Sequence, residues 1–93
     1  MRRALLSSPT FVRAARRLVK KSPELQESLR RALEALERDA FEPGLKTHKL
    51  KGALEGSWAC SAGYDLRVVF TFVRVGEAEA LLLQTVGTHD EVY

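Results

Sequence analysis

Residues 66–74 read Leu-Arg-Val-Val-Phe-Thr-Phe-Val-Arg. β-Branched and aromatic side chains pack well on a pleated surface and lose rotamer freedom in a helix, so this run predicts a strand. With a period of two, Val68, Phe70 and Phe72 fall on one face, and Arg67, Val69, Thr71 and Val73 on the other. A strand of this composition needs partners at its edges and a cover on at least one face. The flanking sequence supplies the partners. Trp58 to Ala62 predicts a strand on one side, with Gly63-Tyr64-Asp65 as the turn between. Val75-Gly76-Glu77 predicts a second turn and Glu79 to Val86 a further strand. Short turns between consecutive strands imply an antiparallel meander.

The cover comes from the first half of the chain. Ser7-Ser8-Pro9 reads as a helix start: Ser8 caps free amides, and Pro9 suits the first helical position, where its missing N–H costs nothing. Phe11, Ala14, Ala15, Leu18 and Val19 follow at helical spacing. Ser22-Pro23-Glu24 repeats the start signal. Leu25, Leu29, Leu33 and Leu36 then form one apolar stripe with Ala32 beside it. Glu27 and Arg31, and Glu34 and Arg38, stand four apart in the favourable order. The second helix should end near Phe41, before Pro43-Gly44. Two helices joined by a tight turn form a hairpin whose stripes need a further layer. Arg2 to Leu6 adds a short strand, and Leu45 to Ser57 reads as a loop with some extended structure. The expected order is β-α-α-β-β-β: an α+β fold of two layers, with the helical hairpin packed on an antiparallel sheet, in one domain spanning residues 1–93.

Composition agrees with a folded single domain: 93 residues, 45% of them apolar. The lone Cys60 excludes an internal disulfide and reads as buried filler. The basic start Met1-Arg2-Arg3 lacks the apolar length of a signal peptide, and the run Ala80 to Leu83 is too short to span a bilayer, so a cytoplasmic protein with no membrane partner is expected. The net charge of +3 is unevenly spread. Arg2, Arg3, Arg13, Arg16, Arg17, Lys20 and Lys21 precede any acid, whereas residues 75–93 carry Glu77, Glu79, Asp90 and Glu91 with no lysine or arginine. A one-sided basic surface favours a polyanion such as nucleic acid. The plainer reading is a solvated helix face.

Both histidines fall outside the expected core, His48 in Lys46-Thr47-His48-Lys49-Leu50-Lys51 and His89 in Gly87-Thr88-His89-Asp90. Histidine titrates near neutrality, which suits proton transfer. A metal centre is not expected, because zinc needs a compact Cys and His cluster that this sequence lacks. No glycine-rich turn opens a helix, so phosphate-loop and dinucleotide motifs are absent. A triad of Ser61, His89 and Asp65 can be drawn on paper, with no nucleophile-elbow pattern to support it. RNA cleavage fits these groups better. The ribose 2′-hydroxyl is itself the nucleophile, so a protein needs only a base, an acid and a cation for the phosphorane. His48, Asp65 and His89 offer the proton carriers. Arg67, Lys46, Lys49 and Lys51 offer the charge. Trp58, Tyr64 and Tyr93 could stack on bases, against the structural readings of core, turn and chain end.

The second half also resembles a known family. Leu45-Lys46-Thr47-His48-Lys49-Leu50-Lys51-Gly52, then Trp58, then Tyr64-Asp65-Leu66-Arg67-Val68-Val69-Phe70, then Gly87-Thr88-His89-Asp90-Glu91-Val92-Tyr93 is similar to the RelE/ParE superfamily of type II toxin–antitoxin toxins, and most to its YafQ branch. The resemblance implies a RelE-like fold and a metal-independent endoribonuclease, without cofactor, that cuts mRNA on the ribosome. It also implies a cognate antitoxin whose acidic segment wraps the toxin, with oligomers formed only through that antitoxin. By motif match, His48, Asp65, His89 and Tyr93 take the family's catalytic positions, with His89 as general acid and either Asp65 or His48 as base. Arg67 follows from chemistry, as the stabiliser of phosphate charge. Arg13, Arg16, Arg17 and Lys20, with Lys46, Lys49 and Lys51, would grip RNA. YafQ-like toxins can carry a further histidine shortly before the acidic residue, whereas Ser61-Ala62-Gly63-Tyr64 stands there in this chain. The alternatives on the same fold are a ParE-like gyrase poison and an inactive relative that only binds an antitoxin.

Overall fold

The computed structural model describes residues 2–93; Met1, with which the basic start opens, lies outside them. The elements are β1 (Ala4–Ser7), α1 (Pro9–Lys21), α2 (Leu25–Arg38), β2 (His48–Lys49), β3 (Trp58–Ser61), β4 (Leu66–Val75), β5 (Ala78–Thr88) and α3 (His89–Val92), with single 3-10 turns at Pro43–Leu45 and Gly52–Leu54. The five strands form one sheet in the order β1-β5-β4-β3-β2. From β2 to β5 every pairing is antiparallel, as expected. β1 departs from that expectation. It lies beside β5 and runs parallel to it, with Ala4 opposite Ala80 and Ser7 opposite Leu83.

α1 begins as its sequence predicts. The Ser8 hydroxyl oxygen accepts from the Phe11 amide at 3.0 Å, and the same hydroxyl donates to the Gln84 carbonyl at 3.2 Å. The cap therefore ties the helix start to β5 as well as closing it. The second start lies later than expected. Ser22 is used in ending α1, its N–H donating to the Leu18 carbonyl, and α2 opens at Leu25 behind Glu24, which makes no side-chain cap. The linker is too short for Ser22 to end one helix and begin the next. α2 stops at Arg38, short of Phe41, because Asp39 turns extended and its carboxylate accepts from the Phe41 amide. Of the two expected ion pairs, Glu27–Arg31 forms; Arg38 instead reaches forward to Glu42, and Glu34 pairs with Arg30.

The helices cover the face of β4 that carries Leu66, Val68 and Phe70, which join Phe11, Leu29, Leu36, Leu81 and Leu83 in one core. Cys60 lies in that core with no exposed surface, and burial pushes its thiol up to about 12. Trp58 is half-buried and meets the edges of Phe41 and Phe72, with the Lys49 ammonium 5.5 Å above its ring. Between β4 and β5 the register slips by one. Val69 faces Thr85 while Phe70 faces Leu83, which leaves Gln84 as the extra residue of a bulge. No helix among the described residues is long and apolar enough to cross a membrane.

Candidate active site at the open end of the sheet

Residues opposite one another on an antiparallel ladder point to the same face. His48 faces Ala59, Ala59 faces Val69, and Arg67 precedes Val69 by two along β4. His48 and Arg67 therefore share the face that the helices leave uncovered.

Local backbone sets the chemistry of His48. Lys46 sits in the left-handed region at φ 52°, which turns the chain out of the 3-10 turn and into β2. Its carbonyl comes to lie 3.0 Å from Nδ1 of His48. A carbonyl only accepts, so Nδ1 carries a proton in this bond and Nε2 is the nitrogen turned toward other partners. That Nε2 lies 3.4 Å from the Tyr93 hydroxyl.

The second histidine is placed by the short helix α3. Its main-chain N–H donates to the Asp65 carbonyl at 3.1 Å, and its own carbonyl accepts from the Tyr93 amide at 3.1 Å. Thr88 and Glu91 form a reciprocal capping box at the start of this helix, the Thr88 amide donating to Glu91 Oε1 at 2.8 Å. The result sets the His89 ring edge-on against Tyr93, with centroids 4.6 Å apart at 90°. Two imidazoles thus meet one phenol. Partial burial raises the Tyr93 phenol above its ordinary value, and the positive charge of Arg67 opposes that rise. The phenol keeps its proton at neutral pH and serves as the donor toward His48. The Arg67 guanidinium donates to the Leu66 carbonyl at 3.1 Å.

Asp65 behaves differently from the other four candidates. It is exposed, it forms no ion pair with Arg67 among the described residues, and it borders a separate hollow with Leu25, Ser28, Ala62 and Thr88. Its link to the site is the carbonyl that holds His89. No side-chain hydrogen bond joins Ser61, Asp65 and His89 among the described residues, so the triad drawn on paper is not assembled. Tyr64 is fully exposed in its turn. Lys51 borders a hollow with Tyr93, while Lys49 is drawn toward Trp58. Arg13, Arg16, Arg17 and Lys20 all stand exposed on α1. Arg17 and Lys21 border a cavity of about 440 Å³ whose far wall is Thr88, Glu91 and Val92, which brings the basic helix alongside α3.

No protein-family model matches the chain, and no curated protein does. Solved structures do. The YoeB/ParE toxin from Agrobacterium tumefaciens superposes with a TM-score of 0.74 at 17% identity, over 92% of this chain and 98% of that one. YafQ from E. coli strain BL21(DE3) gives 0.76 at 16%, over 98% of both chains. A structure of the E. coli DinJ-YafQ toxin–antitoxin complex gives 0.74 at 17%, over 100% of this chain and 99% of that one. This is the fold of the YoeB and YafQ toxins.

Within this YafQ-like fold, two features of the site went unread in the sequence. One is α3 itself. Its signature, Thr88-x-x-Glu91, is a plain capping-box pattern, but a four-residue helix leaves no apolar periodicity to prompt the search. The other is Gly87. A Cβ there would stand 3.0 Å from Glu91 Oε1 and 3.2 Å from Val92 Cγ1, so the absence of a side chain lets α3 fold back on the end of β5.

Proposed function

We propose that this protein is the toxin of a type II toxin–antitoxin system and acts as an endoribonuclease on mRNA at the ribosome. The observation that carries the reading is the convergence of His48, His89 and Tyr93, with Arg67 near enough to act on the Tyr93 phenol. His48 would take the proton of a ribose 2′-hydroxyl through Nε2, the nitrogen that the Tyr93 hydroxyl approaches at 3.4 Å. The resulting oxygen attacks the adjacent phosphorus. Arg67 stabilises the charge that builds on the phosphorane, and His89 protonates the departing 5′ oxygen. The products are a 2′,3′-cyclic phosphate and a 5′-hydroxyl. Of the two candidate bases, the position of Nε2 favours His48; Asp65 contributes the carbonyl that anchors His89. Lys46, Lys51 and the exposed cations of α1 would hold the RNA backbone, and an antitoxin with an acidic segment would compete for the same cations.

The test is cleavage of mRNA on programmed ribosomes. Wild type should cut and leave a 2′,3′-cyclic end. His89→Ala should lose about a hundredfold or more of the rate, the usual worth of a general acid. It should keep the fold, because His89 lies outside the core. Normal cutting by that variant would remove His89 from the mechanism. No cutting by folded wild type would leave a gyrase poison or an inactive antitoxin-binding protein, which a supercoiling assay separates.

A further inference from the structure

α3 has only four residues, and a helix of that length has almost no stability of its own. Yet it carries His89 at one end and is followed directly by Tyr93. Something must hold it. One main-chain bond anchors each side of His89, to Asp65 and from Tyr93. A further restraint is Glu91, whose carboxylate accepts the Thr88 amide while its own amide is accepted by the Thr88 side chain. Glu91 makes no contact with either histidine ring among the described hydrogen bonds, and its side chain faces back over Gly87. That carboxyl is held below its ordinary value, chiefly by the Thr88 N–H, then by the Thr88 hydroxyl, and least by Lys21 and Arg17 across the cavity.

We infer that Glu91 is the positioning residue of the site: by closing the capping box with Thr88 it sets the helical turn that places His89 against Tyr93. The inference rests on the ribonuclease reading for its catalytic consequence, though not for its structural one. Two roles are open to Glu91. As a cap it needs only an acceptor oxygen, which glutamine also supplies. Acting through its charge on Arg17 and Lys21 across the cavity, it needs an ionised carboxylate, which glutamine lacks. Glu91→Gln and Glu91→Ala therefore separate the cap from the charge.

The experiment compares wild type, Glu91→Gln and Glu91→Ala in two readouts. The first is the carbon chemical shifts of residues 89–92, with the nuclear Overhauser contacts between the His89 and Tyr93 rings. Helical shifts and ring contacts should persist in Glu91→Gln and vanish in Glu91→Ala. The second is single-turnover cleavage of mRNA on programmed ribosomes. Glu91→Ala should lower the maximal rate about tenfold, the equivalent of one lost cap, with the half-saturating concentration unchanged. Glu91→Gln should restore most of that rate. Retained ring contacts in Glu91→Ala would overturn the inference whatever the cleavage result. So would equal losses in both variants, which would assign the role of Glu91 to its charge. If wild type does not cleave while the shifts behave as stated, the ribonuclease reading fails and the positioning role of Glu91 stands.

Discussion

A lone cysteine in an RNA-binding candidate invites a redox role, and the surroundings of Cys60 argue against one. It sits between Ala59 and Ser61 on β3, fully enclosed, and its thiol is pushed up to about 12 by desolvation, with the Val68 backbone and Arg67 opposing. The reactive species is the thiolate, so Cys60 is inert in the folded protein. Burial leaves a trace in stability. In the unfolded chain the thiol loses its proton from about pH 9, whereas the native protein keeps it toward about 12. Across that window the unfolded state binds fewer protons, so stability falls as pH rises, by at most about 1.4 kcal/mol per pH unit. Urea unfolding at pH 8 and at pH 10 should show a larger drop for wild type than for Cys60→Ala. Equal drops would mean that the thiol titrates alike in both states. Residues of this kind were legible: an apolar neighbourhood around Cys60 announces burial. Asp65 was legible as a candidate and not as what it does, because a main-chain carbonyl has no signature in a side-chain alphabet.

Elements differed in how openly they were written. β4 was plain, since ten residues of alternating character fix both the strand and its faces, and the core side of Leu66, Val68 and Phe70 follows directly. α1 was equally plain, from its cap to its apolar face. β2 was not, because two residues carry no period, and its existence depends on Lys46 adopting a left-handed turn. The parallel seat of β1 was hidden for another reason: nothing in Ala4–Ser7 names a partner so distant in sequence. The legible cap also yields a prediction at this scale. Ser8 closes α1 and bonds the Gln84 carbonyl at the bulge, so Ser8→Ala removes both interactions. The loss should be about 1 kcal/mol, read as a lower urea midpoint with an unchanged slope. A midpoint equal to that of wild type would mean that water replaces the cap without cost.

At the scale of the whole molecule, the parallel pairing of β1 with β5 has a consequence for the order in which the chain folds. Ser8 and Gln84, bonded across the β1–β5 edge, are 76 positions apart. β4 and β5 are instead joined by Gly76 and Glu77, with Gly76 at φ 63° and no positive φ at Glu77, the backbone of a tight type II′ hairpin. Closing a long loop costs entropy before any contact repays it, whereas a hairpin closes on the microsecond scale. The β4–β5 hairpin should therefore form in the transition state and β1 should dock after it. Leu5 packs from β1 onto the core, so Leu5→Ala should accelerate unfolding and leave the refolding arm of the chevron nearly unmoved. A slowed refolding arm would place β1 in the nucleus instead. The hairpin that forms first carries Arg67 and runs straight into His89. The candidate groups on β4 and just past β5 should thus be brought together early, before the edge strand β1 docks.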